Sequence, residues 1–564
     1  LSHKFTTETV SGDRFYYNRL FHDYIFDYPV FKDYFHYDHG SIEGYEKRMR
    51  DISENYNESI RGTVSGILED TNRRLGAGEK TIENIKGLSE KGSLIVIGGQ
   101  QPGLFTGPSF IIYKVITILK LSSHLEEKTG KRVIPCFWNA SDDGQLDQAD
   151  RLGMITDRYD ELNIENFSIK KDTRLSNVYF PRSSYLDLID GMGLLLRGKA
   201  HGDKAGLFLK DAVNNLQEKG SGSSRIGLDK LFSSIILKLF SKWGPVIIDP
   251  SDKGLKKLGS NVLEWDLKEH SKINSTIVES GRKLIEAGYH SQLSPNPDVL
   301  DFFVDKDGVR EKIKILPDGR YELDGKEYTG ESLLKKASDD PSQVSWNVVL
   351  RPLVQDTVFP VLATVCGPGE VSYFAQLGGV YRQKGINMPI IYPRFSGTIV
   401  EDSTARLIER SGMEIDDLYL GKEDTLKTFL RKHVAKDIEV LIKDLEGSIS
   451  GNIDEIEDRT KVSGIDPGSS FDRIKRNLAN EIKVLSKKIY SALKKQNQTI
   501  VKSIDRIYLD LFPDGSLQER KINIFYYAGK YGMKVIDILY EAYKPFDKGH
   551  KFIYLKEDKK DEKG

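Results

Sequence analysis

Cysteine is nearly missing from this chain. Its two occurrences, Cys136 and Cys366, lie far apart, outside any metal-ligand spacing and in apolar, strand-like surroundings. They read as buried free thiols of a reducing compartment. Long hydrophobic runs are missing too: none approaches the roughly 20 residues needed to span a bilayer. Neither sign of charge is in excess, with 83 Lys and Arg against 84 Asp and Glu. Bulk charge therefore gives no support for a nucleic-acid partner. Leu1-Ser2-His3-Lys4 leads into polar sequence without a signal-peptide pattern. The expectation is a cytoplasmic protein with no membrane and no nucleic-acid partner. What remains is 564 residues at 38% hydrophobic and 30% charged content, enough for two to four domains with much solvated helix surface.

The stretch Gly98 to Lys114 organises the rest. A short apolar run, Leu94 to Ile97, has strand length and β-branched content. Gly98-Gly99-Gln100-Gln101-Pro102-Gly103-Leu104-Phe105-Thr106-Gly107-Pro108 follows, and then an apolar pattern of helical spacing. Strand, glycine-rich turn and helix start form a common ligand position in open α/β sheets. Gln100, Gln101 and Thr106 add neutral donors and acceptors. The stretch is neither a Walker A loop nor G-x-G-x-x-G, and a purely structural turn is the competing reading.

Similar logic recurs. Val133 to Trp138 is a buried-strand run that leads into Asn139-Ala140-Ser141-Asp142-Asp143-Gly144-Gln145-Leu146-Asp147. Acids at a strand's carboxyl edge can receive an ammonium group, orient a metal-bound phosphate or act as a base. They can equally form a solvated turn with a helix N-cap. Gly244 to Pro250 gives a third buried strand ending in an acid. Val358 to Val365 gives a fourth, ending in Cys366-Gly367-Pro368-Gly369-Glu370, and Pro389 to Arg394 one more. Asp307-Gly308, Asp318-Gly319 and Asp324-Gly325 mark hairpin turns in a small β-rich insert. His36 and His39, three apart, read as loop packing and not as metal ligands, because no third ligand is near. From 423 to 512, Ile and Leu recur every three or four residues on both sides of a break at Gly464 to Gly468. That spacing describes an antiparallel coiled-coil hairpin, which commonly dimerises. The segments read as core 1–155, insert 156–225, core 226–287, β-rich insert 288–344, core 345–420, coiled coil 421–512, and 513–564 packing back on the core.

Several short motifs carry a resemblance along nearly the whole chain. They are Asn72-Arg73-Arg74-Leu75-Gly76, the Gly99 to Pro108 stretch, Asn347-Val348-Val349-Leu350-Arg351-Pro352 and Gly367-Pro368-Gly369-Glu370. Pro393-Arg394, Leu517-Gln518-Glu519-Arg520 and Pro545-Phe546-Asp547 complete the set. In order and spacing the chain resembles the bacillithiol biosynthesis cysteine-adding enzymes. The resemblance implies an α/β fold: a Rossmann-type core akin to class I aminoacyl-tRNA synthetases, with two connecting-peptide inserts and a dimerising coiled coil. It also implies a ligase that joins the carboxyl of L-cysteine to the amine of glucosaminyl malate.

A carboxylate acylates an amine only after activation, so the fold analogy implies ATP or another nucleotide; no metal ligand is assigned. On this reading Gly103, Thr106, Gly107 and Pro108 hold the nucleotide. Asp142, Asp143 and Glu370 are the catalytic candidates. Gln100, Gln101, Asn139, Asp147, Arg351, Tyr373 and Arg394 bind substrate, the two arginines by bidentate carboxylate recognition. One departure stands out. The family pattern Glu/Asp-Asp-His-Asp reads Asp142-Asp143-Gly144-Gln145 here, without the histidine that would be the natural base or phosphate contact. Two alternatives follow: a related amide-forming or nucleotidyl-transferring enzyme with another amine acceptor, or a non-catalytic coiled-coil binding protein.

Overall fold

Five apolar runs become one parallel sheet. In the computed structural model these are β1 (Leu94–Gln100), β2 (Val133–Asn139), β3 (Val246–Ile248), β4 (Val361–Cys366) and β5 (Ile390–Pro393). The structure describes residues 5–10, 18–144, 149–164, 169–216, 224–433, 436–465 and 470–556. The sheet order is β5-β4-β1-β2-β3, and every pairing is parallel. Parallel strands are covered on both faces, so they read as continuous apolar runs; Leu94 to Ile97 are all at most 2% exposed.

The order reverses between β1 and β4. Chain growth runs outward from β1 through β2 to β3, then returns to place β4 on the other side of β1. Such a switch point leaves a crevice at the carboxyl ends of the strands. Helix α1 (Phe110–Thr129) follows β1, and helix α2 (Pro368–Lys384) follows β4, so both helix starts border that crevice. Gly99 is needed for packing and not for its backbone angle: a Cβ there would lie 2.9 Å from the carbonyl oxygen of Trp138 on β2.

The motif Asn72 to Gly76 explains itself as a tether. Asn72, fully buried, exchanges two hydrogen bonds with the backbone of Ile247 on edge strand β3. The segment around 299–346 forms an antiparallel five-stranded sheet of its own. His36 uses both ring nitrogens on backbone groups of Gly378 and Met388, while His39 stacks on Tyr24 at 4.6 Å. Both histidines are packing residues. Cys136 and Cys366 are free and buried, and burial pushes both thiols far above their usual range.

The described chain falls into two compact units. One takes in Leu1–Ile399 and Ser516–Ile553, the other Val400–Gly515 with Tyr554–Lys556. The second unit holds the helical arm, Lys436–Val462 and Ser470–Gln496, antiparallel and joined by Lys475 to Asp454 and Glu457. It starts earlier than the coiled-coil spacing, because helix Asp402–Ser411 packs on helix Gln498–Leu511, with Thr404 donating to Asp510 at 2.5 Å. No helix among the described residues is long and apolar enough to cross a membrane.

Candidate active site

The crevice at the switch point is a cleft of about 800 Å³, lined wholly by residues of the first unit. Six of its lining side chains are cationic (Lys114, Arg151, Arg351, Arg394, Arg520 and Lys521) and three are acidic (Asp143, Glu161 and Glu370). That balance suits an anionic ligand.

Lys114, on α1, ties the two halves of the sheet together. Its side chain is 1% exposed, and Nζ donates to the Gly99 carbonyl at 2.7 Å and to Gln100 Oε1 at 3.2 Å. It also donates to Glu370 Oε2 at 2.5 Å. Glu370 in turn accepts from the Gly367 amide at 2.6 Å, capping α2. One buried ammonium therefore fixes the β1 end, the Gln100 side chain and the start of α2.

Of the residues expected at the site, Gln100, Gln101, Pro108, Asp143, Arg351, Glu370, Tyr373 and Arg394 line the cleft. Asp143 accepts from Gln101 Nε2 and from the Gly144 amide. Arg351 donates to the Tyr373 hydroxyl at 2.9 Å, and burial raises that phenol well above its ordinary range. Arg394 reaches the wall with its charge already matched: it donates to Glu519 Oε1 at 2.6 Å and to the Phe395 carbonyl at 2.8 Å. It is less available to a substrate carboxylate than its motif suggests.

Other expected residues are placed elsewhere. Asp142 points away from the cleft into a buried cluster, accepting from Lys256 at 2.8 Å and Arg174 at 3.3 Å. Arg174 also holds Asp305 at 2.6 Å, and burial raises the Asp305 carboxyl to about 6. Asn139 is 1% exposed, and its amide donates to the Asp229 carbonyl and Ser233 Oγ. Asp147 lies outside the described residues.

Gly103, Thr106 and Gly107 do not line the cleft. Their loop is folded shut: the Leu104 amide donates to Ala149, and the Gly107 amide donates to Leu104. Phe105 and Thr106 have φ of 44° and 80°, a left-handed backbone that is costly for such side chains. Asn523 holds this strained loop, its Nδ2 lying 3.3, 2.9 and 2.8 Å from the carbonyls of Leu104, Phe105 and Gly107. Its Oδ1 caps helix Ile524–Tyr531. Asn523→Ala removes the clamp and the cap together and is expected to cost about 2–4 kcal/mol. Asn523→Asp keeps the cap alone and should lose less of the loop's stability than alanine does. Urea unfolding of the three proteins reads the difference, and equal midpoints would refute the clamp.

Lys114 and Arg310 carry no local sequence signal for the site. A lysine in an apolar helical pattern reads as one solvated position. Arg310 sits on the separate antiparallel sheet, and only the fold brings it within 3.4 Å of Asp143.

A buried ion triad supports Arg351 from behind. His270 Nδ1 lies 3.0 Å from Asp266 and 3.5 Å from Asp301. Asp301 accepts from Asn347 Nδ2 at 2.5 Å, and Asn347 Oδ1 caps the helix that carries Arg351. Burial alone would lower the imidazolium, but the two carboxylates outweigh it and raise His270 to about 10. Burial raises Asp266 to about 6, more than the imidazolium lowers it. Between pH 7 and 10, then, only His270 of this pair changes state. Its raised value means a stabilisation that is full below its ordinary pKa of about 6.5 and lost as pH climbs through 10. The melting-temperature gap between the natural protein and His270→Gln should be widest near pH 6.5 and shrink towards pH 10. A gap independent of pH would show that the imidazole carries no charge.

The N-terminal Rossmann-like domain of bacillithiol biosynthesis BshC matches residues 6–395, and its C-terminal coiled-coil domain matches residues 397–555. Proteins named "Putative cysteine ligase BshC" align along most of their length. The one from Salinibacter ruber is 28% identical over 95% of this chain and 96% of its own. That from Heliobacterium modesticaldum is 32% identical over 86% and 88%, and that from Bacillus mycoides 27% over 91% and 94%. With a parallel sheet, a switch-point cleft and a helical arm in the order of both domains, the chain belongs to the bacillithiol biosynthesis BshC family.

Proposed function

We propose that this chain is a cysteine ligase that joins the carboxyl of L-cysteine to the amine of glucosaminyl malate in the cytoplasm. The observation that carries this reading is the cation-rich cleft at the switch point of a BshC-family chain. The two substrates together bring three carboxylates, and Arg351, Arg151, Arg520 and Lys521 offer the matching charge on the cleft wall. Of the adjacent pair Asp142 and Asp143, Asp143 is the carboxylate that faces the cleft, and it would receive a substrate ammonium.

A nucleotide fits the cationic rim at Arg151, Arg520 and Lys521 better than the closed Gly103 to Gly107 loop. When bound it would supply activation of the carboxylate as an acyl adenylate or acyl phosphate. The same reading takes 156–225 and 288–344 as connecting-peptide inserts of a core akin to class I aminoacyl-tRNA synthetases. Both lie between strands of the parallel sheet, and the second carries antiparallel pairs of its own, which supports it. Homodimerisation through the arm is supported by its uncovered apolar positions: Leu441 is 66% exposed and Ile456 56%.

The second reading keeps the chemistry and changes the amine acceptor. Gly144 favours it: a side chain there would start 3.0 Å from the main chain of Asp172, so a histidine at this position would crowd that backbone. Mass spectrometry after incubation with cysteine and glucosaminyl malate, with and without ATP and magnesium, separates the two. A cysteinyl amide supports the first reading, and its dependence on ATP would reveal the activation. No product beside a working relative supports the second.

A further inference from the structure

Behind the cleft lies a smaller recess of about 280 Å³ that shares Ala140, Asp143 and Arg351 with it. We propose that this recess is the subsite for the amino-acid substrate. It would take a small α-amino acid with its ammonium on Asp143, its carboxyl towards Arg351 and the cleft, and its side chain among Trp138, Phe303 and Trp346. The identity of that amino acid as cysteine rests on the ligase reading; the recess itself does not.

Three observations converge. The first is selection of one carboxylate from two neighbours. Asp142 is sequestered by Lys256 and Arg174, while Asp143 stays 37% exposed at the recess mouth. Both carboxylates line the recess, but an ammonium ion entering there finds Asp142 already paired to two cations and Asp143 with room for another donor.

The second is a guanidinium held loosely at the back. Arg310 lies 3.9 Å above the Phe303 ring and reaches Ser345 Oγ, Asp143 and the Trp346 carbonyl at 3.2, 3.4 and 3.5 Å. All three bonds are at the long end of the range, so Arg310 leaves Asp143 room for a further donor.

The third is an orphan donor. Trp346 is 5% exposed, and its indole N–H has no hydrogen-bond partner among the described residues. A buried N–H without an acceptor is costly and calls for an explanation. A thiol sulfur among these rings would supply a soft acceptor and favourable contacts with the ring edges. The volume suits a small amino acid and is too small for a nucleotide or a glycosyl malate.

Tryptophan gives a direct readout, since two of the chain's four, Trp138 and Trp346, line the recess. The full-length protein is titrated with reduced L-cysteine, L-serine and L-leucine, with and without glucosaminyl malate, while its fluorescence is followed. Cysteine should give a saturable change, serine a weaker one and leucine none. Val348→Phe fills the recess and should weaken cysteine binding at least tenfold, leaving the melting temperature and the thermal shift with glucosaminyl malate intact. Ala140→Val is the milder variant should phenylalanine unfold the protein, and it should weaken cysteine several-fold. Unchanged cysteine affinity in the folded variant, or an unchanged KM for cysteine in a working ligation assay, would place the amino acid elsewhere and overturn the recess while sparing the ligase. Saturable binding lost in Val348→Phe, with no amide formed, would uphold the recess and remove the ligase reading. No fluorescence change with any amino acid would overturn the recess.

Discussion

Replacing Glu519 with alanine should lower the unfolding free energy by about 3–5 kcal/mol, the cost of orphaning a buried charge. Glu519 is fully buried and its partner Arg394 is 4% exposed at the side chain. The carboxylate also accepts from the Ser396 hydroxyl at 3.1 Å and the Gly397 amide at 3.0 Å. Alanine removes all of these acceptors and leaves a guanidinium in a low-dielectric wall. Glu519→Gln keeps an oxygen for Gly397 and should cost less. The double variant Arg394→Met with Glu519→Leu should recover much of the loss, because two apolar groups leave no charge behind. Urea unfolding midpoints with unchanged slopes would establish the series. A Glu519→Ala loss under 1 kcal/mol would mean that water reaches Arg394 and that the pair does not brace the cleft.

Replacing Lys114 with methionine should cut kcat/KM for amide formation at least about 100-fold, some 2.7 kcal/mol of transition-state stabilisation. Methionine matches the length and apolar stem of lysine, so packing along α1 survives. What goes is the ammonium that aligns Gly99, Gln100 and Glu370. Reacting groups misplaced by even an ångström lose rate steeply. Glu370→Gln keeps a polar contact and should lose less. Steady-state kinetics at saturating cosubstrate would decide, with circular dichroism to show that both variants fold. Activity within threefold of the natural protein would reduce Lys114 to a packing residue.

The central sheet was legible because parallel strands are buried on both faces and leave unbroken apolar runs. The hairpin turn at Asp307-Gly308 was legible because both residues adopt a left-handed backbone, with φ of 51° and 82°. The site was legible only in outline. Asp142 and Asp143 are adjacent, yet one enters a buried cluster and the other faces the cleft. Nothing local separates them, since the choice depends on Lys256 and Arg174, far along the chain. Arg394 and Glu519 both stand in recognisable motifs, but their pairing is a tertiary fact. The Gly103 to Gly107 turn has the composition of a phosphate loop, and only its hydrogen bonds reveal that its own carbonyls and Asn523 consume it.

The order of the strands also sets a timetable for biosynthesis. Lys114 and Glu370 are 256 residues apart. At roughly 5–20 residues per second on the ribosome, about 13 to 50 seconds separate their emergence. Through that interval β1 can pair with β2, yet its other edge has no neighbour, because β4 has not been made. The edge left open belongs to Leu94–Gln100, among the most apolar stretches of the chain, and an open apolar edge is a template for wrong pairing. The central strand of the finished sheet thus spends that interval as an edge strand, with one side unpaired.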